Sequence, residues 1–148
     1  MQLLPRKGVL AIAAVLDIAM NAHGRPVAAK SLADRHRLPS RHLEPVLQAL
    51  VRRGILRGVR GPRGGYELAR PEGSIAVDEI LRAAGTVAES DEGEIAGSAL
   101  LTNVVVPALA RAEEALSAAL ARITIADLTQ SAEGQRKTSP ERQPGLAI

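Results

Sequence analysis

Residues 54–70 read Gly-Ile-Leu-Arg-Gly-Val-Arg-Gly-Pro-Arg-Gly-Gly-Tyr-Glu-Leu-Ala-Arg, which is two short apolar and basic runs on either side of a glycine-rich turn. The runs at 55–59 and 66–69 are long enough to form small strands. The turn at 60–65 holds three glycines, two arginines and a proline, so we expect it to be the exposed tip of a β-hairpin. Glycine lets a backbone approach a large partner closely, and arginine binds phosphate groups or fits a narrow groove.

Three segments before the hairpin have the apolar spacing of helices. Residues 7–22 are apolar nearly all round, which predicts a buried central helix. Residues 29–36 predict a short second helix, and Ser40 is a good N-cap for a third helix that runs to about residue 53. Helix, short helix, turn, helix and hairpin follow one another in the order of a winged helix-turn-helix, a DNA-binding fold.

The remainder of the chain predicts one more short helix and one long helix. Residues 74–84 have helical spacing, and the acidic stretch at 86–99 has no period and predicts a loop. A long helix begins at about residue 100 and is interrupted near its start by Pro107. We therefore expect a mainly α protein with a winged helix-turn-helix domain over 1–85, an acidic loop over 86–99, a dimerisation helix with a short terminal helix over 100–130, and a disordered tail over 131–148.

The long helix carries an apolar stripe with a spacing close to 3.5 residues. Its members are Leu101, Val104, Leu109, Ala112, Leu116, Leu120 and Ile123. Little sequence is left to cover so long a helix, so the economical partner is the same helix of a second chain in a two-fold dimer. The alternative is that the helix folds back onto its own domain.

The charge of the chain is unevenly distributed. The net charge of +3 combines a segment at 25–70, where eleven Lys and Arg against three acids give +8, with a segment at 72–99, where one Arg against seven acids gives −6. The basic segment favours contact with a polyanion such as nucleic acid, and the alternative is ordinary solvated surface charge.

The composition excludes several classes of site. The 148-residue chain has no cysteine, so disulfides, thiolate-held zinc and ordinary iron–sulfur clusters are excluded, and its three scattered histidines predict no metal site. Tyr66 is its sole aromatic residue, which argues against base-stacking platforms for single strands. No nucleophile–base pair is visible, and no apolar run is long enough for a membrane span. We therefore expect a cytoplasmic protein that is not an enzyme and holds no cofactor.

The third helix is the candidate recognition helix. Arg41 can donate two parallel bonds to guanine, His42 can donate or accept at a base edge, and Glu44 can accept from cytosine. Each good pair is worth about 1–3 kcal/mol of discrimination against the wrong base.

Further basic residues suit contacts outside the major groove. Arg60 and Arg63 in the hairpin turn fit the minor groove, where they read its width. Lys7, Lys30 and the amides that open the second helix would anchor phosphates and set the register on the duplex.

Over roughly residues 3–129 the chain resembles the Rrf-two (BadM/IscR-type) family of bacterial winged-helix transcription regulators. The motifs that carry the resemblance are Lys7-Gly8, Ser40-Arg41-His42-Leu43-Glu44, the wing string Arg60-Gly61-Pro62-Arg63-Gly64-Gly65-Tyr66-Glu67-Leu68-Ala69, and Ile123-Thr124-Ile125-Ala126-Asp127-Leu128. The wing string is the most specific of them.

The resemblance implies a homodimer with crossed long helices that binds double-stranded DNA at a pseudo-palindromic promoter site, usually as a repressor. By similarity, Arg41, His42 and Glu44 fall where the family reads bases, and Arg60-Gly61 where its wing enters the minor groove. The complete set of candidate DNA-binding residues is Lys7, Lys30, Ser40, Arg41, His42, Glu44, Arg60, Gly61 and Arg63.

The chain departs from the family at three places. Many members hold an iron–sulfur cluster through three cysteines in the loop that corresponds to about residues 86–103, and this chain has none. Pro45 lies in the recognition helix, where it lacks an amide donor and is expected to distort the first turn. Arg37 occupies a turn position where the family often has glycine, and a left-handed conformation there would cost about 1 kcal/mol.

The sequence therefore predicts a homodimeric, sequence-specific DNA-binding regulator without a cluster. Its signal is left open between a small molecule at the junction of domain and dimer helix, a partner protein and its own abundance. Because of Pro45, the alternative is a winged-helix dimer that acts as a protein-interaction module and binds DNA without sequence preference.

Overall fold

A computed structural model of the protein describes residues 4–22, 24–85 and 98–138. The described elements are α1 (Arg6–Asn21), α2 (Ala29–His36), α3 (Ser40–Arg52), β1 (Leu56–Val59), β2 (Gly65–Leu68), α4 (Val77–Ala83), α5 (Val106–Ala121) and α6 (Ile125–Thr138). A 3-10 turn at Glu72–Ser74 precedes α4, and a π-helical turn at Leu101–Val105 leads into α5. This mainly α order with one two-stranded antiparallel sheet confirms the predicted winged helix-turn-helix class.

The hydrophobic core forms where α1 meets the helix-turn-helix. Ala11, Ala14, Val15 and Ile18 of α1 are fully buried, at the spacing of one helical face. The apolar face of α3 is buried in the same cluster, which also includes residues of α2, α4 and the wing. This packing fixes the direction of α3, and the opposite face of α3 remains exposed.

The start of α3 differs from the prediction. Ser40 is the first helical residue, and Pro39, with φ −64° and ψ 138°, takes the N-cap position without a side-chain capping bond. The extended backbone of a proline suits the entry to a helix, so Ser40 is not needed as the cap. The helix continues through Pro45 to Arg52, so this proline removes one amide donor and leaves the helix unbroken.

The hairpin pairs Leu56 with Leu68 and Val59 with Gly65. The first strand begins one residue later than the predicted run, and the second strand begins and ends one residue earlier. A Cβ on Gly65 would overlap the carbonyl of Val27, and one on Gly64 would overlap the carbonyl of Val59. Glycine is therefore required at both positions for packing within the chain, and the approach of a large partner to them stays a prediction. Their missing side chains let the wing pack against its own chain.

The predicted fourth helix at 74–84 is shortened to α4 at Val77–Ala83. Ile75 is extended, with φ −105° and ψ 110°, and Ala76 forms an antiparallel bridge with Thr124. The amide of Val77 donates to the carbonyl of Ile123, and the amide of Ile125 donates to the carbonyl of Ile75. This long-range pairing satisfies the backbone groups that a continuous helix would have used internally, and α4 begins only at Val77.

The C-terminal boundaries also change. The π-helical turn at Leu101–Val105 ends two residues before Pro107, whose ring would crowd the carbonyl four residues earlier in a regular α-helix. Helix α6 runs to Thr138, so the disordered tail expected from residue 131 is wrong at 131–138. Residues 131–138 contain no proline, and the helix accommodates Gly134. Residues 86–97 of the expected acidic loop and 139–148 of the expected tail lie outside the described residues.

Candidate nucleic-acid interface

The exposed face of α3 carries the predicted base-reading residues. Arg41, His42 and Glu44 are all exposed, whereas Leu43 and Val46 between and after them are buried. The helical period therefore places the polar side chains of the first two turns outward. Ser40 is also exposed and opens the helix.

A groove joins the start of α3 to the start of α1. Its basic side chains come from Arg6, Lys7, Arg41 and His42, and its apolar wall includes Leu38. The predicted phosphate anchor Lys7 therefore lies beside the predicted base readers. The structure thus brings together residues of α1 and α3 that lie in separate sequence motifs.

The wing presents its arginines at the tip. Arg60, Gly61 and Arg63 are exposed, and Gly61 adopts φ +115°, a conformation that favours glycine. Lys30 is exposed in the first turn of α2. Arg63 also lines a cleft with Arg25 at the approach to α2.

The basic residues of this region fall into two groups. Arg35, Arg57 and Arg70 form ion pairs with Asp17, Glu67 and Glu79. In the part of the chain that the structure describes, the five predicted DNA-binding cations form no ion pair; they are Lys7, Lys30, Arg41, Arg60 and Arg63. Cations that have no internal partner remain available to a polyanion.

Gln48 is a residue of this face that the sequence analysis did not select. It is exposed on α3, seven residues after Arg41 and four after Glu44, and its Nε2 donates to the hydroxyl of Tyr66 at 3.2 Å. The helical spacing from Arg41 is the signal that would have identified it.

A buried carboxylate connects α1 to α2, at a position that the candidate residues predicted from the sequence do not include. Asp17 is 8% exposed, and its carboxylate accepts hydrogen bonds from Arg35 Nε at 2.9 Å and Nη2 at 2.6 Å. Asn21 Nδ2 and His36 Nε2 lie 3.0 and 2.9 Å from its oxygens, so His36 is a partner of Asp17. The signal was an isolated acid in an otherwise apolar helix, because such a group requires partners.

The electrostatics of Asp17 follow from this network. Burial alone would raise the pKa of the carboxyl group. The hydrogen bonds and charge of Arg35, with the hydrogen bonds of His36 and Asn21, outweigh burial and hold the pKa below its ordinary value. Asp17 is therefore ionised at neutral pH and orients α2 against α1.

The turn between α2 and α3 contains a strained residue. Arg37 has φ 54° and ψ 48°, and it is the sole non-glycine residue with positive φ among the described residues. The left-handed conformation considered for Arg37 is therefore present, and it closes α2 before α3 begins.

The apolar stripe of the long helix divides between two surroundings. Val104 and Leu109 are 55% and 63% exposed, and Ala112 is exposed as well. Leu116 and Leu120 line a groove with Leu81 of α4, and Leu101 is half-buried. Ile123 lies after the end of α5, in the turn that pairs with α4, and is 37% exposed. Among the residues that the structure describes, Val104, Leu109 and Ala112 of the stripe are therefore left without cover.

A helix-turn-helix with a basic β-wing and an exposed recognition helix defines the winged-helix class of nucleic-acid-binding proteins. The family model Rrf2, described as an iron-dependent transcriptional regulator, matches residues 4–131. The chain belongs to the Rrf2 family of transcriptional regulators, which confirms the predicted resemblance.

Individual relatives agree with this assignment. The chain is 33% identical over 135 residues to the HTH-type transcriptional regulator IscR of Erwinia tasmaniensis, covering 88% of this chain and 80% of that protein. It is 41% identical over 80 residues to an HTH-type transcriptional regulator of Haemophilus influenzae, and it spans about half the length of that relative, 53%. These relatives are transcriptional regulators and not enzymes.

Solved structures share the fold. The structure of T. potens IscR matches with a TM-score of 0.71 and 29% identity, covering 89% of each chain. The oxidized form of Staphylococcus aureus CymR matches with a TM-score of 0.65 and 25% identity, covering 85% of this chain and 94% of that one.

The donor set of this chain does not fit a cluster held by cysteine thiolates. The sequence contains no cysteine, and thiolates are the usual ligands of iron–sulfur clusters. Within residues 4–22, 24–85 and 98–138, no group of three or more His, Asp or Glu side chains is placed to hold a metal ion. Over the same residues, none of the helices has the length and apolar character to cross a membrane.

Proposed function

We propose that this protein is a homodimeric, sequence-specific DNA-binding transcription regulator that acts as a repressor from the cytoplasm. The observation that carries the proposal is the set of exposed cations without internal partners on α3, the wing and the starts of α1 and α2. Arg41 would read guanine in the major groove, and Arg60 would enter the adjacent minor groove. Lys7 and Lys30 would bind phosphates and set the register.

The proposed dimer rests on the uncovered apolar side chains of the long helix. Leu100, just before the π-helical turn, is 68% exposed, Leu109 of α5 is 63% exposed, and no residue of α5 is fully buried. A second copy of the helix would cover them and would place two recognition helices on a two-fold axis, as a pseudo-palindromic site requires. The signal that controls binding would be a small molecule, a partner protein or the abundance of the regulator itself.

The test begins with selection of bound fragments from the genome of the source organism, which supplies an operator. Gel shifts at about 0.15 M salt then compare wild type with Arg41→Ala, Arg60→Ala and the control Arg122→Ala, an exposed arginine beyond the end of α5. We expect the wild type to prefer its operator about 10³-fold or more over unrelated DNA.

The variants should separate the assigned roles. Arg41→Ala should lose about 1–3 kcal/mol of operator binding and relax the preference at one base pair. Arg60→Ala should weaken binding, and Arg122→Ala should bind as the wild type does. Equal binding by all four proteins would refute the assigned roles, and sequence-blind binding by the wild type would favour the protein-interaction module.

A further inference from the structure

Tyr66 contacts three parts of the proposed DNA-binding face, which are the approach to α2, the wing and α3. Its contact with Gln48 of α3 is called the joint below. Its amide donates to the carbonyl of Val27 and its carbonyl accepts from the amide of Val27, both at 2.8 Å. In β2 it also pairs with Gly58 of β1. The backbone of Tyr66 is thus held from both sides, by the approach to α2 and by the wing itself.

The side chain of Tyr66 reaches the third part, α3. Its ring is partly buried against the core, and its hydroxyl accepts the hydrogen bond from Gln48 Nε2 at 3.2 Å. This bond crosses an open cleft between α3 and the wing, lined by Gln48, Gly58, Arg60 and Tyr66 among others. Across the described residues it is the one side-chain hydrogen bond between α3 and the wing strands.

We propose that Tyr66 is a positioning residue that, through Gln48, holds the wing at a fixed distance from the recognition helix. This inference rests on the proposed function. A two-stranded hairpin with four-residue strands is marginally stable alone, so its orientation depends on what anchors it. A protein that must enter a major groove and the adjacent minor groove together loses less free energy on binding when these parts are already fixed.

Gln48 has a competing role, since an exposed glutamine on a recognition helix can bind adenine in the major groove. The two roles predict different behaviour for its partner. A base-reading Gln48 would act without the Tyr66 hydroxyl, whereas a joint requires both groups.

Gel shifts on the selected operator distinguish these roles, with Tyr66→Phe, Gln48→Ala and the double variant. Tyr66→Phe removes only the hydroxyl and keeps the ring. We expect each single variant to weaken operator binding about 3- to 10-fold, and the double variant to bind no more weakly than either. Binding to unrelated DNA and the base preference should stay unchanged, as should all binding by the control Gln130→Ala on the exposed face of α6. Wild-type binding by Tyr66→Phe, or a preference altered at one base pair in Gln48→Ala, would overturn the inference.

Tyrosine fluorescence tests the joint without DNA, because Tyr66 is the sole aromatic residue of the chain. Gln48→Ala should change the emission of Tyr66, and Gln130→Ala should not. Identical emission from Gln48→Ala and wild type would overturn the joint. Loss of operator preference in the wild type would refute the proposed function, and the emission would still decide whether the joint exists.

Discussion

Similar apolar side chains lie in opposite surroundings in two parts of the molecule, the winged-helix body (α1 to α4 with the wing) and the long helix α5. Leu47 of α3 is fully buried in the core, whereas Leu109 of α5 is 63% exposed. The body closes its apolar surface within one chain, and α5 buries none of its residues. A helix of 16 residues is marginal in water without tertiary packing. The comparison supports the proposal that a second copy of the chain covers the exposed side chains of α5, whereas the core of the body is completed within the chain by Ile125 of α6.

The largest expected effect comes from truncating the buried member of this pair. Leu47→Ala leaves a cavity in the core cluster and should lower the free energy of unfolding by about 2–5 kcal/mol. Urea unfolding at two protein concentrations measures it, with Leu109→Ala as the matched substitution. The loss at Leu47 should not depend on protein concentration, and the loss at Leu109 should grow where chains associate. A large loss at Leu109 at both concentrations would mean that α5 is already covered within the protomer.

The second effect tests the partner of α5 directly. Leu109→Asp would place a charge in an apolar interface, and we expect it to weaken self-association by about 10- to 100-fold. Sedimentation at micromolar concentrations measures the dimer, and circular dichroism checks that the body stays folded. Ala118→Asp makes the same charge change at an exposed position on the opposite side of the helix and should leave the dimer intact. Unchanged dimerisation in Leu109→Asp would place the interface elsewhere.

Local patterns explain why most of the body could be predicted. The apolar spacing of α1 and α3 and the glycine-rich turn of the wing are short-range signals, so α2 and both strands lie within one residue of their predicted positions. The predicted DNA-binding residues are all exposed, because a polar residue on the outward face of an amphipathic helix can be recognised from its period.

Several of the errors have a common physical cause, which is contact between residues far apart in sequence. The pairing of Ala76 with Thr124 shortens α4, and no local pattern announces it. Two of the partners of Asp17, Arg35 and His36, are 18 and 19 residues away, and the roles of Gly64 and Gly65 depend on the carbonyls they approach. The joint between Gln48 and Tyr66 is likewise a tertiary contact. Such contacts follow from the fold and not from composition or period.

The third effect concerns the buried carboxylate of Asp17, which connects α1 to α2. Asp17→Asn should lower the free energy of unfolding at neutral pH by about 1–3 kcal/mol, because the buried carboxylate accepts charge-assisted bonds from Arg35. The pKa of Asp17 is lowered in the folded protein from its ordinary value of 3.8. Its contribution is therefore present above about pH 4 and is lost as the pH falls through the folded pKa.

Urea unfolding between pH 2 and pH 7 measures this dependence in wild type, Asp17→Asn and the control Asp34→Asn. Asp34 is an exposed carboxylate on the neighbouring helix α2. The acid-induced loss of stability should shrink in Asp17→Asn and persist in Asp34→Asn. The same pH profile in all three proteins would show that Asp17 does not stabilise the contact between α1 and α2.

The smallest effect should raise stability. Arg37 adopts φ 54° in the turn before α3, and replacing it with glycine relieves a strain of about 1 kcal/mol. Arg37→Gly should therefore increase the free energy of unfolding, whereas Arg52→Gly, the same substitution at the last residue of α3, should not increase it. Thermal unfolding compares the two, and neither should alter dimerisation because both lie in the body. A loss of stability in Arg37→Gly would mean that contacts of the arginine side chain outweigh the strain of its backbone.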